Sequence, residues 1–237
     1  MWKLYDDLYI GIPSGVRIES CTIGKDWTAV RANGNVGVAR TLEGPEDPLG
    51  YAAKFKGAYL RETASHLAWD SLARASVGVA AMNAWYNTKE RAEGLGGLGA
   101  RGKLTGKVAY VGDFEEANSF PLPMGPGFER AGYERLKEFD TVVVCACALI
   151  TRALPGILDI VGESGNVVIE GYSLPCSALF FAFGMPVREL WGYYPASLEA
   201  FESRAVKEIR EPAGALGFAV RSEEVKRIRE EARLTRQ

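Results

Sequence analysis

Short apolar runs separated by turn residues open the chain. The segment "YDDLYIGI" predicts a short helix that is closed by Pro13. Three runs follow, "VRIESCTIG", "DWTAVRA" and "NVGVART". Their β-branched residues, with glycine, asparagine or aspartate between them, predict an antiparallel meander.

A helical period replaces this pattern between Tyr59 and Asn87. A break is expected near Asp70 and Ser71, where either residue can cap a second helix. That second helix, "SLARASVGVAAMNAWYN", is small or apolar almost all the way round, which is typical of a helix buried between other layers. The first part of the chain is therefore predicted to be an α+β unit.

Valine-rich runs dominate the rest of the chain. The segments "KVAYVGD", "TVVVCACAL", "NVVIEG" and "VRELWGY" are almost continuously apolar, as expected for a parallel sheet that is covered on both faces. The segments "LITRALPGILDIVG" and "LPCSALFFAFG" between them are long enough for crossover helices. This order predicts a doubly wound, Rossmann-like α/β domain.

The charged tail "SEEVKRIREEARLTRQ" predicts a solvated helix. Val225, Ile228 and Ala232 leave a narrow apolar stripe along it. We hypothesise that this stripe docks on the body of the protein or on a second subunit, which would make the protein a homodimer.

Two nucleotide-binding motifs overlap in "GLGGLGARGKLTGK", residues 94–107. Gly94, Gly96 and Gly99 match GxGxxG, and GxxxxGK runs from Gly97 to Lys103. A phosphate loop follows a strand and opens a helix, whereas these glycines follow a helix and precede a strand. Residues 94–106 are therefore predicted to be a flexible linker between a domain of residues 1–93 and one of residues 107–237.

Charge and cysteine usage narrow the function classes. A net charge of -2 provides no global basic field for nucleic acid or anionic lipid, and no run approaches the roughly 18 apolar residues of a membrane span. The N-terminus carries two aspartates where a signal peptide needs an apolar stretch, so a cytoplasmic location is expected. The chain has four cysteines without a CxxC pair and a single histidine, His66. This pattern predicts neither a disulfide framework nor a structural zinc site.

Several short segments, in order over residues 5 to about 200, resemble a two-domain heavy-metal chelation family whose members join an enolase N-terminal-like domain to a Rossmann-like domain. They are "YDDL", "GKDWTAV", "GVART", "AAMNA", "VAYVGDF", "CALITRAL" and "GYSLPCSALFFAFGM". The resemblance implies a metal or small-molecule site between the domains. The site residues that it implies are Gly24, Trp27, Asn83, Gly112, Asp113, Phe114, Ser173 and Pro175.

The chain departs from the family pattern in two places. Thr151 and Ala153 stand where asparagine and threonine are frequent, and Gly171, Tyr172 and Ser173 stand where Gly-Pro-Ser is frequent. Thr151 is kept among the residues that line the expected cleft. These departures change polar positions in the expected cleft and so affect which ligand it would bind.

The candidate functional residues lie where the predicted strands end, because open parallel sheets bind ligands beyond the carboxyl ends of their strands. Asp113 is a candidate ligand of a hard cation, and its neighbours Glu115 and Glu116 are either further ligands or solvated charges. Glu170 either orients a ligand or closes a local hydrogen bond. Ser173 is expected to cap a helix whose first turn contains Pro175, which would form an anion site.

The cysteines and Asn83 are each compatible with a structural role or a functional one. Cys145 and Cys147, two apart on a predicted strand, face the same side and are expected to pack in the core. Cys176 is expected in a first helical turn, where the dipole would favour a thiolate that acts as metal ligand or nucleophile. Asn83 needs hydrogen-bond partners within an apolar helix, which are either backbone across the domain interface or the ligand.

The leading prediction is the binding or chelation of a transition or heavy metal ion, or of a metal-bearing small molecule, in the interdomain cleft, with Asp113 and Cys176 as candidate metal ligands. The alternative is an enzyme that acts on a small anionic metabolite with Asp113 or Glu170 as acid and base. A non-catalytic module that uses the cleft for protein contact ranks third.

Overall fold

A computed structural model describes residues 2–68, 71–98, 101–104, 106–112, 128–182, 184–199 and 215–234. The chain begins with helix α1 (Trp2–Ile10) and continues into a three-stranded sheet of order β1-β2-β3. All its pairings are antiparallel, so the predicted meander is confirmed. Its strands are β1 (Ile18–Ile23), β2 (Trp27–Ala32) and β3 (Asn35–Arg40).

Four helices follow the meander: α2 (Pro48–Ala53), α3 (Leu60–Ala64), α4 (Leu72–Tyr86) and α5 (Lys89–Gly94). A 3-10 turn, Ser65–Ala68, separates α3 from α4. Ser71 caps α4, because its side chain accepts a hydrogen bond from the Arg74 N–H at 3.3 Å. The predicted break in the helical region is thus confirmed.

Helix α4 is buried along residues 75–84, as its apolar pattern predicts. It lies on the three-stranded sheet at Gly37 of β3, where a Cβ atom would stand only 1.9 Å from the Ala84 nitrogen. On another side it meets the 3-10 turn at Gly78, where a Cβ would lie 2.7 Å from the Leu67 nitrogen. Glycine is needed at both points because the backbones themselves are in contact.

The remaining strands form a six-stranded sheet of order β5-β4-β6-β7-β8-β9. The first five are parallel and β9 pairs antiparallel with β8, so the prediction of a mainly parallel α/β sheet is confirmed. Strand β9 was not predicted, because glycine interrupts its short run. The strands are β4 (Val108–Val111), β5 (Phe128–Arg130), β6 (Thr141–Cys145), β7 (Val167–Glu170), β8 (Val187–Pro195) and β9 (Ala215–Arg221).

The helices of this half are α6 (Cys147–Ile150), α7 (Leu154–Val161) and α8 (Ser222–Leu234), with 3-10 turns at Tyr133–Glu138 and Ala178–Phe181. Helix α8 confirms the helix predicted for the tail. Val225 of its apolar stripe is buried in the main core, so this residue packs on the body of the same chain. Docking of the rest of the stripe stays a prediction. No helix among the described residues is long and apolar enough to cross a membrane.

Two local predictions are wrong. No helix begins at Ser173, and the segment that follows it is extended up to the 3-10 turn at Ala178–Phe181. Pro175 disfavours a helical Leu174, and contacts to other elements hold the backbone on both sides of it. Strand β6 ends at Cys145, so Cys147 starts helix α6 instead of continuing the strand.

The two faces of the six-stranded sheet are covered differently. One face joins a core that runs without interruption from Leu4 of α1 through α4 to Val225 of α8. The opposite face carries a separate cluster, with Leu104 packed against it. That cluster consists of Val108, Tyr110, Val143, Cys145, Val168, Trp191 and Ala219.

The glycine-rich segment crosses the second face, and its described residues are packed. The Gly97 carbonyl accepts a hydrogen bond from the Ala219 N–H at 2.8 Å, which extends the sheet beyond β9. The Gly102 N–H donates to Glu189 Oε1 at 3.0 Å. The glycine content of this segment predicts a flexible linker. In the structure, the glycines instead let the backbone of the segment lie close to the sheet.

Candidate functional site

The carboxyl ends of three neighbouring strands bring Gly112, Cys145 and Glu170 to one edge of the sheet. Gly112 has a φ of 108°, and a Cβ on it would lie 2.7 Å from the Cys145 Cβ. Cys145 is the register partner of Glu170, which in turn pairs with Trp191. The side chains of Cys145, Glu170 and Trp191 project from the same face, because their strands are in register.

Glu170 is a buried carboxylate that is only partly satisfied. It is 1% exposed, and its Oε1 accepts a hydrogen bond from Arg101 Nη1 at 2.7 Å. Its Oε2 has no hydrogen-bond partner among the residues that the structure describes. Since a buried charged oxygen without a partner is costly, this atom is a candidate contact for a ligand.

Arg101 reaches Glu170 from the glycine-rich segment. Its side chain is 33% exposed, and its Nη2 donates to the Tyr193 hydroxyl. The guanidinium lies over the Trp191 ring, with Cζ 5.1 Å from the ring centroid. We call Arg101, Tyr110, Glu170, Trp191 and Tyr193 the Glu170 cluster.

Burial sets the protonation states within the Glu170 cluster. It raises the pKa of Glu170 above the ordinary glutamate value, and the Arg101 charge partly opposes that rise. Burial, and then the charge of Glu170, raises the pKa of Tyr110 to about 12. Burial also raises the pKa of Tyr193. Both tyrosines therefore keep their protons at neutral pH. The Glu170 carboxyl beside them releases its proton at a higher pH than an exposed glutamate does.

A row of aromatic rings connects the Glu170 cluster to the N-terminal half. Tyr193 stacks on Tyr172 at 4.2 Å between centroids, and Trp27 meets Tyr172 edge-on at 5.2 Å. Gly24 positions Trp27 by donating its N–H to the Trp27 carbonyl at 2.8 Å, in the turn between β1 and β2. Two predicted site residues, Gly24 and Trp27, are thus connected to Tyr193, which reaches Glu170 through Arg101.

Buried amides hold the two halves of the chain together. Asn83 is 0% exposed, and its Nδ2 donates to the carbonyls of Val38 at 2.7 Å and Tyr172 at 2.9 Å. Ser173 Oγ accepts a hydrogen bond from the Arg40 N–H at 3.0 Å. Of the two alternatives for Asn83, the structure shows backbone partners for its NH₂ group, while its Oδ1 has no partner among the described residues.

Asn87 completes this contact one helical turn further along. Its Nδ2 donates to the carbonyls of Leu174 and Tyr193, each at 2.9 Å, and its Oδ1 accepts from the Cys176 N–H at 2.7 Å. We call Asn83, Asn87 and Ser173 the joint. It explains why no helix forms after Ser173, since Asn87 holds the Leu174 carbonyl and the Cys176 N–H in place.

Cys176 is buried in this extended segment instead of lying at a helix start. Burial raises the pKa of its thiol to about 12, so the thiol is protonated at neutral pH. It contributes to a pocket of about 410 Å³ that is also lined by Tyr86 and Arg91. The helix dipole that motivated a metal-ligand role for Cys176 is absent, and the role itself stays a prediction.

The other predicted site residues are dispersed. Thr151 is exposed at the end of α6 and donates to the Cys147 carbonyl at 3.4 Å, where it closes the helix. Asp113 and Phe114, like Glu115 and Glu116, lie outside the described residues. The roles predicted for them stay predictions.

Sequence reasoning missed most of the Glu170 cluster. Strand alternation could have found Tyr110, Trp191 and Tyr193, since each lies on the same face of its strand as Glu170 does. Arg101 had no comparable signal, because it stands in a segment that its glycines make look like a linker. Asn87 was noted only as the end of the helical region.

Comparison with known families matches both halves of the chain. One family model matches residues 5–86 and a second matches residues 105–208, and both carry the description "Putative heavy-metal chelation". The chain belongs to this family. A comparison with curated proteins gives no match.

Two crystal structures of proteins with unknown function from the DUF364 family share the fold. The protein from Desulfitobacterium hafniense is 22% identical, with a TM-score of 0.76 over 93% of this chain and 97% of the other. The protein from Pyrococcus horikoshii is 18% identical, with a TM-score of 0.66 over 92% of this chain and 98% of the other. The comparison with these structures establishes the architecture and leaves the function to be argued from the site.

The family description raises the question of which side chains of this chain could bind a metal ion. The described residues contain no group of three or more His, Cys, Asp or Glu side chains placed to hold one ion. Burial raises the pKa of Cys21 to about 12, as it does for Cys176, so neither is a ready thiolate. A four-ligand site of the structural zinc type is therefore not formed by the described residues.

Proposed function

We propose that the protein binds a metal-bearing small molecule at the Glu170 cluster, between the six-stranded sheet and the N-terminal half. The observation that carries this proposal is Glu170 itself, a buried carboxylate with one oxygen on Arg101 and the other without a partner among the described residues. The family description supplies the metal.

A metal that arrives in an organic complex needs few donors from the protein. The Glu170 cluster instead offers groups that hold an organic partner. Buried aromatic rings surround the site with apolar groups, Arg101 provides a positive charge that is one-third exposed, and Glu170 provides an acceptor. The Trp191 Nε1 donor also lacks a partner among the described residues. A ligand with both a donor and an acceptor would satisfy both atoms.

The position in the fold supports the same assignment. In open parallel sheets, ligands bind outside the carboxyl ends of the strands, and Glu170 is the last residue of β7. The row of buried rings from Tyr193 through Tyr172 to Trp27 continues towards the N-terminal half. The ligand would thus contact residues that both family models cover.

Native mass spectrometry of the untagged protein, with elemental analysis of the same sample, tests the proposal. The wild-type protein is expected to carry an organic adduct and a metal in equal amounts. Glu170→Gln, which keeps the shape but removes the charge, is expected to lose both. Glu223→Gln, the same change at an exposed position on α8, is the matched control and should retain them. An adduct that persists unchanged in Glu170→Gln would contradict the placement.

One observation favours an enzyme as the second candidate. Burial raises the pKa of Glu170, which is the adjustment that a general acid or base needs near neutral pH. The same experiment separates the two candidates. If Glu170 only binds, the adduct disappears in Glu170→Gln; if it transfers a proton, the variant retains an adduct whose mass differs from that found in the wild-type protein.

A further inference from the structure

A cavity of about 410 Å³ lies between the ends of helices α4 and α5 and the chain around Cys176. We call it the Arg91 pocket, and its lining includes Tyr86, Arg91, Leu95 and residues 176–179. The residues of the Glu170 cluster, all of which the structure describes, do not line it. Cavities of this volume accommodate small organic molecules, so the Arg91 pocket is large enough to be a separate site.

Arg91 brings a positive charge to the pocket, and aromatic rings restrain its side chain. The side chain is half-buried, and its Cζ lies 4.9 Å from the centroid of the Trp85 ring and 5.1 Å from that of the Tyr86 ring. The Tyr86 ring is itself held, because its hydroxyl donates to the Leu8 carbonyl at 2.8 Å. A guanidinium restrained in this way loses less freedom when it binds a ligand.

Arg91 borders two cavities, and their charged residues differ. The neighbouring cavity, of about 590 Å³, is also lined by Lys89 and Glu90, so it already contains a carboxylate. Among the described residues that line the Arg91 pocket, Arg91 alone carries a charge. An anion is therefore better accommodated in the Arg91 pocket than in its neighbour.

The charge of Arg91 acts on the walls of this pocket. Burial raises the pKa of Cys176 to about 12, and Arg91 opposes that rise. Burial also raises the pKa of Tyr86, and Arg91 again opposes the rise. For Tyr86 the effect of Arg91 is larger than the opposite effect of the Asp7 carboxylate. The positive charge is thus felt on two sides of the pocket, at a thiol and at a phenol that both stay neutral.

Apolar side chains and one hydroxyl complete the lining. Leu95, Ala178 and Leu179 contribute aliphatic groups. Ser177 Oγ accepts a hydrogen bond from the Leu179 N–H at 3.3 Å, so its own proton is available for an acceptor on a ligand. An inorganic anion would use Arg91 and Ser177 alone, whereas an organic anion would also cover the aliphatic groups.

We propose that the Arg91 pocket binds a small organic carboxylate with an aliphatic tail. A carboxylate can accept two parallel hydrogen bonds from the planar guanidinium of Arg91, which is the geometry in which such pairs are strongest. The tail would lie against Leu95 and Leu179 and remove their exposed area from water. This site requires no metal and is independent of the ligand proposed for the Glu170 cluster.

Isothermal titration calorimetry of the full chain with hexanoate tests the site. The wild-type protein is expected to bind about one equivalent, and Arg91→Met should weaken binding at least about tenfold because the charged pair is lost. Arg91→Lys keeps the charge without the planar fork and should weaken binding less than Arg91→Met does. Circular dichroism checks the fold of both variants, since each changes the contact with the Trp85 and Tyr86 rings.

Hexanamide tests the same pair in the wild-type protein, without any substitution. It keeps the tail and the shape of hexanoate but has no charge, and it should bind at least about tenfold more weakly. Hexanamide that binds as tightly as hexanoate would overturn the role of Arg91. Inorganic phosphate that binds as tightly as hexanoate would overturn the organic carboxylate as the ligand class.

Arg17→Met is the matched control, because the exposed Arg17 also lies over a tyrosine ring, with Cζ 4.1 Å from the Tyr59 centroid. It should bind hexanoate like the wild-type protein. Glu170→Gln should do so as well, which keeps this result separate from that of the proposed function. A wild-type protein that does not bind hexanoate, or an Arg91→Met variant that binds it equally well, would overturn the site.

Discussion

The joint and the Glu170 cluster both bury polar groups in apolar surroundings, but they use them differently. In the joint, each hydrogen-bonding group of the Asn87 amide has a backbone partner, in Leu174, Tyr193 or Cys176. In the Glu170 cluster, one carboxylate oxygen of Glu170 and the indole nitrogen of Trp191 have none among the described residues. The Asn87 amide is therefore complete without a ligand, whereas the Glu170 cluster is not.

This difference separates structural polar groups from candidate functional ones. A buried amide whose hydrogen bonds are all made fixes the position of the backbone that it binds. When the amide is removed, several buried backbone groups lose their hydrogen-bond partners at once, which destabilises the fold. A partly satisfied carboxylate keeps a cost in the folded protein, which a ligand can remove. Asn83 lies between the two cases, since its NH₂ group is used and its Oδ1 is not.

The largest expected effect is at Asn87. Asn87→Ala leaves the Leu174 and Tyr193 carbonyls and the Cys176 N–H without their partner, so we expect the free energy of unfolding to fall by about 3 kcal/mol. Urea denaturation measures this change. Asn35→Ala is the matched control, because the half-buried Asn35 also donates to two carbonyls, and it should cost about 1 kcal/mol.

An Asn87→Ala variant that is no less stable than Asn35→Ala would remove the distinction between the joint and the Glu170 cluster. It would mean that the chain around Leu174 holds its path without the amide. The segment could then adopt the helix that its sequence predicts, and a ligand role for Ser173 would regain its basis.

The pH dependence of stability sharpens the comparison at Glu170. The unfolded chain releases the Glu170 proton at the ordinary glutamate pKa, whereas burial keeps the folded carboxyl protonated to higher pH. This contribution to stability is therefore present below the ordinary glutamate pKa and is lost as the pH rises through the raised pKa of the folded protein. Glu170→Gln should flatten that decline in urea denaturation series from pH 4 to pH 8.

Arg101→Met should have the opposite effect, because the guanidinium opposes the rise in the Glu170 pKa. The decline would extend to higher pH, and at pH 8 the variant should be less stable by about 2 kcal/mol, since a buried carboxylate loses its partner. Arg135→Met is the control: its partners Glu129 and Glu138 are themselves well exposed, so solvent screens the pairs and the stability should hardly change. Equal pH profiles for the two variants would contradict the assignment of Glu170 as a buried, strained carboxylate.

The strands and long helices were predictable because hydrophobic period reports burial directly. Helix α4 is apolar all the way round and is buried along residues 75–84, and the valine-rich runs became the central strands. The helix expected at Ser173 failed because local preference was outweighed by distant contacts. Asn87, far away in sequence, binds the backbone of Leu174 and Cys176, and the Arg40 N–H donates to the Ser173 hydroxyl that would otherwise cap the helix.

The candidate site was predictable only in part, for a related reason. Glu170 was predicted from its place at the end of a strand, whereas Gly112 and Trp27 were predicted from the family resemblance. Arg101 becomes part of the site only because the glycine-rich segment lies across the sheet. No local pattern records that path, since it depends on hydrogen bonds to Ala219 and Glu189.

The smallest expected effect concerns this segment, which places Arg101 beside Glu170. A Cβ on Gly97 would lie 2.6 Å from Val220 Cγ2, whereas one on Gly94 would meet nothing within 4 Å. Gly97→Ala should therefore destabilise the protein by about 1 to 2 kcal/mol through overpacking, and Gly94→Ala at the end of α5 should be neutral or slightly stabilising. Thermal denaturation of the pair distinguishes a packed segment from a flexible tether. Two neutral substitutions would indicate a tether, and Arg101 would then lack the fixed support that the Glu170 cluster requires.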